Sequence, residues 1–316
     1  MSSSNTETRE FARAAALGLS DHPRWLPCRY LYDAEGSRLF ERITETPEYY
    51  LTRTELSLLC ESSDAIAQIT GDATLVELGA GSARKTERII AAYTSRYGAA
   101  RYVPVDVSGD ALAEATALAG RYPALAVRGV HGSYETVFPL LPSLSPLVLL
   151  FLGSTIGNLN QTEADVFWSN VRCALMPGDF MLLGVDLVKD AATIDRAYND
   201  AAGWSAAFTK NIFARMNREL GSEIDLGGID HEAAYRPEWQ RVEIFARMTR
   251  RQEVRLAPLG RTITLEAGER VMTEISRKYE LTELRDYLHL FELETLETFT
   301  DPARSYALLL LRPGQS

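Results

Sequence analysis

Cysteine and histidine are scarce in this chain, and apolar runs are short. Its 316 residues include three cysteines (Cys28, Cys60, Cys173) and four histidines (His22, His131, His231, His289). Neither set has the close spacing of metal ligands, and an odd number of scattered thiols makes no disulfide frame. We expect reduced, semi-buried thiols and no metal. An apolar run such as LVLLFLG (147–153) is strand-sized, against the roughly 20 residues of a spanning helix, so no membrane segment is expected. Positive charge is in deficit too, with 33 Lys and Arg against 43 Asp and Glu and a net charge of −10. That balance argues against nucleic-acid binding through a basic face. The opening MSSSNTETREFARA is polar and lacks the apolar stretch of a secretory signal. The expectation is a cytoplasmic protein, acting as a monomer on a small molecule.

What is present is an ordinary globular composition, 46% hydrophobic and 24% charged, long enough for one large domain or two modest ones. From residue 74 to 188, short apolar runs alternate with amphipathic stretches, the pattern of a parallel sheet wrapped by helices. TLVELGAG (74–81), RYVPVDVS (101–108), ALAVRGVHG (124–132), PLVLLFLG (146–153) and DFMLLGVDLV (179–188) read as five strands. Helices are expected from Arg84, over 109–120 and over 162–175. The alternation then stops for about eighty residues, with longer helical stretches and a charged strand-like segment, WQRVEIFARMTRRQEVRL. It resumes with a helix over 281–290, then ETFTD and SYALLLLRP. The expected fold is α/β: a doubly wound, Rossmann-like sheet (54–189 and 279–316) plus a second α+β domain built from 1–53 and the insertion 190–278.

Glu77-Leu78-Gly79-Ala80-Gly81 ends the first strand, where glycines let the backbone turn sharply and approach a ligand. A dinucleotide fingerprint would place a third glycine at position 84. Arg84 stands there, which disfavours NAD or FAD and leaves a ligand without a pyrophosphate. An acidic residue two before the first glycine, as Glu77 is, resembles the first motif of class I methyltransferases. Asp106 ends the second strand about 25 residues past the glycine turn, where a carboxylate can accept both ribose hydroxyl hydrogens; a loop or capping aspartate is the plainer alternative. Lys85 is read as opening the next helix, either paired with the methionine carboxylate of the cofactor or merely solvated. FLGSTIGNL follows the fourth strand. There Gly153 can expose its carbonyl, and Asn158 offers a donor and an acceptor to an amine beside a carboxylate, or else caps a helix.

Six blocks in order, LPCRYLYDAEGSRLFERITETPEYYLTRTE, LVELGAGSARKT, FLGSTIGNL, DLVKDAATIDRAYNDAAG, FTKNIFARMNREL and VMTEISRKY, give nearly the whole chain a resemblance to the L-histidine Nα-methyltransferases of ergothioneine biosynthesis. The resemblance implies the two domains, S-adenosylmethionine as cofactor, and three methyl transfers that turn histidine into the betaine hercynine. By motif it implies that Tyr49, Asn158 and Tyr198 hold the α-amino and carboxylate groups, with Tyr49 and Asn158 orienting the nitrogen. It also implies that Glu274 and Ser276 hold the imidazole. Glu274 can accept the ring N–H while the Ser276 hydroxyl serves the other nitrogen, and an apolar side chain would leave a buried carboxylate unpaired. Tyr32 and Phe40 either line the ring pocket or are plain core aromatics. Where the family has Gly-Asp-Phe after the third strand, this chain has Gly132-Ser133-Tyr134. Adenine recognition is expected there, through the Ser133 hydroxyl or the backbone. Ile244 replaces an expected methionine and keeps an apolar wall of different shape. Three alternatives remain: the same scaffold acting on tryptophan or tyrosine, a nicotinamide dehydrogenase, and a non-catalytic cofactor-binding module.

Overall fold

The computed structural model describes residues 3–314. The chain starts with α1 (Ser3–Ser20), β1 (Arg24–Trp25) and α2 (Ala34–Glu45). It then runs through α3 (Leu51–Thr70), β2 (Thr74–Leu78), α4 (Glu87–Tyr97), β3 (Ala100–Asp106), α5 (Gly109–Arg121), β4 (Leu125–Val127) and β5 (Val130–His131). After α6 (Tyr134–Val137) come β6 (Leu147–Phe151), α7 (Gln161–Ala174) and β7 (Phe180–Asp186). The insertion holds α8 (Ala191–Ala197), α9 (Trp204–Leu220), β8 (Ile229–Arg236), β9 (Arg241–Met248), β10 (Gln252–Leu256), β11 (Arg261–Leu265) and β12 (Arg270–Arg277). The chain closes with α10 (Leu281–His289), β13 (Leu293–Thr300) and β14 (Tyr306–Pro313).

Two compact units result. The sheet unit comprises 50–189 and 277–316, and the inserted unit 1–49 and 190–276; the sequence placed the breaks at 53/54 and 278/279.

In the sheet unit the strand order is β13-β14-β7-β6-β2-β3-β4, with β5 also on β3. β2 pairs in parallel with β3 on one side and β6 on the other, so the strand order reverses at β2. The crevice beyond the carboxyl ends of strands at such a reversal is where open α/β sheets take ligands. β14 runs antiparallel to both β7 and β13. Every residue of β2 and β6 is buried, because helices cover both faces of a parallel sheet and its strands become continuously apolar. The core on one face draws on Val76, Leu149, Phe151, Trp168, Met181 and Leu309. Each such side chain contributes about 1.5–3 kcal/mol of transfer free energy. The third strand is not continuous, since 128–129 break it into β4 and β5. α7 starts with a capping box: Asn160 accepts from the Glu163 N–H, and Glu163 returns the bond.

The inserted unit carries a four-stranded sheet in the order β1-β12-β9-β8 and a separate β10–β11 hairpin. The charged strand-like segment is thus two strands, β9 and β10, belonging to different sheets. Alternation from Val242 buries Ile244, Ala246 and Met248, the period-2 signature of a strand. α9 buries Phe208, Ile212, Phe213 and Met216 along one face. Asp33 caps α2 by accepting from the Gly36 N–H, and its carboxylate also accepts from the Asn211 amide at 2.7 Å. Gly36 has no freedom to vary, because a Cβ there would lie 1.7 Å from the Leu31 carbonyl.

Of the thiols, only Cys28 is half-buried. Cys60 and Cys173 are exposed, so the expectation of semi-buried thiols holds for one of three. No helix among the described residues is long and apolar enough to cross a membrane.

Candidate active site

The glycine turn sits at the carboxyl end of β2. Gly79 and Gly81 have φ of 70° and 51°, the left-handed region that side chains other than glycine resist. A Cβ at Gly81 would meet nothing within 4 Å among the described residues, and one at Gly79 only the Tyr134 hydroxyl at 3.7 Å. The loop is therefore open on the side where its backbone faces outward, and a ligand can lie directly on it. Asp106 fastens the loop to the next strand. One of its oxygens accepts from the Gly81 N–H at 2.9 Å and the other from the Ser108 N–H at 2.8 Å. Each oxygen keeps a lone pair for a further donor.

Glu77 stands near the end of β2, two residues before Gly79. Its carboxylate is 3% exposed and accepts from the Thr86 hydroxyl at 2.6 Å and from the Tyr102 hydroxyl. Burial pushes its pKa up to about 7, against the opposing pull of these two donors. Both donors lie outside the Gly79–Gly81 turn, Thr86 just before α4 and Tyr102 on β3. Ser133 stands at the N-cap of α6. Tyr134 packs its ring edge-on to Phe151 at 5.3 Å, which aims its hydroxyl at Gly79.

Lys85 differs from its sequence reading. It lies in the turn before α4, which begins at Glu87, and its ammonium pairs with Glu55. Glu55, which the sequence did not single out, is fully buried. It also accepts from the Gly153 N–H and the Tyr306 hydroxyl, each at 2.7 Å. Gly153 and Ser154 follow β6 with φ of 75° and 56°, two left-handed residues that swing the chain into the short turn carrying Asn158. Ser154 holds this bend by accepting from the Asp186 N–H at 3.0 Å. Gly157 lies against the backbone of Arg277. A Cβ there would lie 2.8 Å from the Arg277 carbonyl, so its missing side chain serves a backbone contact.

In the inserted unit the expected substrate residues assemble around aromatic rings. Tyr32 meets Phe40 at 5.7 Å and Phe208 at 5.2 Å, Phe40 meets Tyr49 at 6.0 Å, and Tyr49 meets Tyr198 at 6.1 Å. All four contacts are edge-on, and half-buried Tyr32 or Phe40 takes part in three of them. Phe208 belongs to this frame although the sequence gave no reason to choose it over other helix aromatics. The Tyr198 hydroxyl is 2.7 Å from that of Ser276, which joins two residues expected at opposite ends of the substrate. Ser276 is buried and Glu274 half-buried. They stand two apart on β12, and alternate residues of a strand share a face. β12 lies between β1 and β9, so the pair is not on a sheet edge. Ile244 is buried on β9, its carbonyl accepting from the Thr273 hydroxyl at 3.3 Å.

His231 also went unnoticed as a supporting residue. Its Nε2 is 3.0 Å from the Tyr198 carbonyl and its Nδ1 is 2.8 Å from the Thr209 hydroxyl. A carbonyl only accepts, so Nε2 carries the hydrogen and Nδ1 accepts from Thr209. Burial lowers the His231 pKa from its ordinary value, which keeps the ring neutral and the arrangement intact.

Among the described residues, no group of three His, Cys, Asp or Glu side chains is placed to hold a metal ion. The open glycine turn, with a carboxylate at the end of the neighbouring strand and an ammonium nearby, suits a nucleoside bearing an amino-acid tail. That is the cofactor of S-adenosylmethionine-dependent methyltransferases, the class that this fold and loop define. The family model described as "Histidine-specific methyltransferase, SAM-dependent" matches residues 11–313, and the chain belongs to this family. It is 39% identical over 299 residues to a protein of Mycolicibacterium smegmatis named histidine N-alpha-methyltransferase, covering 94% of this chain and 93% of that one. It is 32% identical to a longer Neurospora crassa protein named ergothioneine biosynthesis protein 1, covering 92% of this chain and 33% of that one. A Psilocybe serbica L-tryptophan methyltransferase is 29% identical, with 95% and 92% covered.

Proposed function

We propose that this methyltransferase acts on the α-amino group of L-histidine and transfers three methyl groups in succession to give hercynine, as a step of ergothioneine biosynthesis. The observation that carries the substrate assignment is the hydroxyl pair of Tyr198 and Ser276 beside Glu274. Two facing hydroxyls can act as a relay: when Tyr198 donates to Ser276, the Ser276 hydroxyl can turn its own hydrogen to an unprotonated ring nitrogen. Glu274 accepts the N–H on the other side of the imidazole. In this reading 190–276 with 1–49 is the substrate-binding part and the sheet unit the cofactor-binding part. By motif, Tyr49, Tyr198, Asn158 and the Gly153 carbonyl are assigned to the α-group. Glu77, Gly79, Gly81, Lys85, Asp106, Ser133 and Tyr134 receive the cofactor.

S-adenosylmethionine supplies an electrophilic methyl group, so the chain's residues are left with orientation and not with acid–base chemistry. The amine must be neutral to attack, and an α-amino pKa near 8 makes its deprotonation by solvent or a neighbouring oxygen easy. After the third transfer the nitrogen is quaternary and has no lone pair, so the sequence stops there.

The test is incubation of the purified protein with S-adenosylmethionine and a panel of amino acids, read by mass. Histidine should gain three methyl groups and tryptophan, tyrosine and histamine few or none. Preferential methylation of tryptophan would favour the rival aromatic substrate. Turnover of histamine comparable to histidine would show that the carboxylate is not read.

A further inference from the structure

Glu55 is a fully buried carboxylate outside the expected site, and three segments of the sheet unit converge on it. One oxygen accepts from the Gly153 N–H and the Tyr306 hydroxyl. The other is paired with the Lys85 ammonium. The strand beneath is shaped around this group, since a Cβ at Gly184 would lie 2.2 Å from the same Glu55 oxygen that Gly153 and Tyr306 share. A buried anion with three donors, one of them an ammonium, is compensated; removing its charge would release the ammonium. The two ends of the ion pair differ in exposure, for Glu55 is 0% exposed and the Lys85 side chain 25%. The fixed end is thus the carboxylate, and the ammonium is the end that a ligand can reach. Lys85 Nζ also lies 3.3 Å from where a Gly153 Cβ would stand, so it is held between the glycine turn and the loop after β6.

From this geometry we infer that Glu55 is a positioning residue. Anchored to Gly153 and Tyr306, it holds the Lys85 ammonium where the cofactor's methionine carboxylate can meet it. The inference rests on the proposed contact between Lys85 and that carboxylate. An ammonium has three N–H groups, so bonding to Glu55 leaves donors for a ligand anion. A free lysine on a flexible stem would have to be ordered during binding; here the ordering is built in. The same carboxylate fixes the first residue of the loop that carries Asn158, so cofactor and substrate loops share one anchor.

The experiment compares two ligands by calorimetry: S-adenosylhomocysteine, which has the amino-acid tail, and 5′-methylthioadenosine, which lacks it. Glu55→Gln keeps the length of the side chain and its acceptor for Gly153 and Tyr306, but turns away the ammonium. It should weaken S-adenosylhomocysteine roughly tenfold and leave 5′-methylthioadenosine within about twofold. Lys85→Met should do the same, and adding Glu55→Gln to it should change little further. Equal weakening of both ligands by Glu55→Gln would overturn the inference, because it would mark a general scaffold effect. Unchanged affinity in Glu55→Gln with a clear loss in Lys85→Met would overturn it while preserving the Lys85 contact. No loss in Lys85→Met would overturn the Lys85 contact itself, and the inference with it. Should Glu55→Gln fail to fold, Glu55→Asp draws the carboxylate back by one methylene. It should then give the same selective loss, and equal losses would again contradict it.

Discussion

The Tyr198 hydroxyl lies 2.7 Å from the Ser276 hydroxyl, although 78 positions separate the two residues. Tyr198 ends α8 and Ser276 stands near the end of β12. In the proposed site this link would make substrate reading cooperative, since a change at Tyr198 alters the hydroxyl that Ser276 can offer. His231 supports Tyr198 from behind through its carbonyl, so the hydroxyl pair depends on a third residue that need not touch a ligand.

That support predicts a pH signature. Burial holds the His231 pKa below its ordinary value, so its stability contribution is fully present above the unfolded pKa of about 6.5. As pH falls below that, the unfolded chain takes up a proton that the folded chain refuses, and stability is lost toward the folded pKa. His231→Asn should be less stable than the parent at pH 8, by about 1 kcal/mol for the lost hydrogen bonds. The gap should narrow below about pH 6. Melting temperatures of both proteins between pH 8 and 5 check this; a gap that is constant or widens contradicts it.

A second prediction isolates the loop after β6. Gly157→Ala would set a Cβ 2.8 Å from the Arg277 carbonyl and 3.0 Å from its amide nitrogen. Both neighbours are backbone, so relief requires a shift of the strand or the turn, a destabilisation of roughly 1–3 kcal/mol. Denaturant unfolding should show the loss. An unchanged midpoint would mean that the turn yields freely.

Asp106 carries the third. Its carboxylate ties Gly81 to Ser108 and is the proposed partner of the ribose hydroxyls. Asp106→Ala should weaken S-adenosylhomocysteine by at least ~1.5 kcal/mol, the loss of a charged hydrogen-bonding partner. Calorimetry that gives the parent affinity would remove Asp106 from the cofactor site.

How much of this was legible beforehand depended on distance along the chain. The glycine turn and Asp106 could be read because a left-handed backbone and a strand-end carboxylate leave local marks, and the two are 25 residues apart. The alternation of strands and helices announced the sheet because buried parallel strands are apolar throughout. Glu55 left no such mark. Its partners lie 30, 98 and 251 positions away, and in the sequence it is one more glutamate on an amphipathic helix. Phe208 and His231 were hidden for the same reason: each is an ordinary helix or strand residue until the fold brings its partners near. The Gly157 contact was hidden too, since a glycine beside a ligand and one beside a backbone look alike in sequence.

In the proposed site the β12 pair, Glu274 and Ser276, reads an imidazole. Glu274→Ala would remove the charged acceptor of the ring N–H, a loss on the order of 2–3 kcal/mol, equivalent to roughly a thirty- to hundredfold fall in kcat/KM for histidine. Activity on tryptophan should fall far less, because its larger ring gains the vacated volume. The deciding measurement is the ratio of kcat/KM for histidine to that for tryptophan, at saturating S-adenosylmethionine, in the parent and in Glu274→Ala. A ratio lower by at least about tenfold in the variant is the result predicted; an unchanged ratio would show that Glu274 does not read the imidazole.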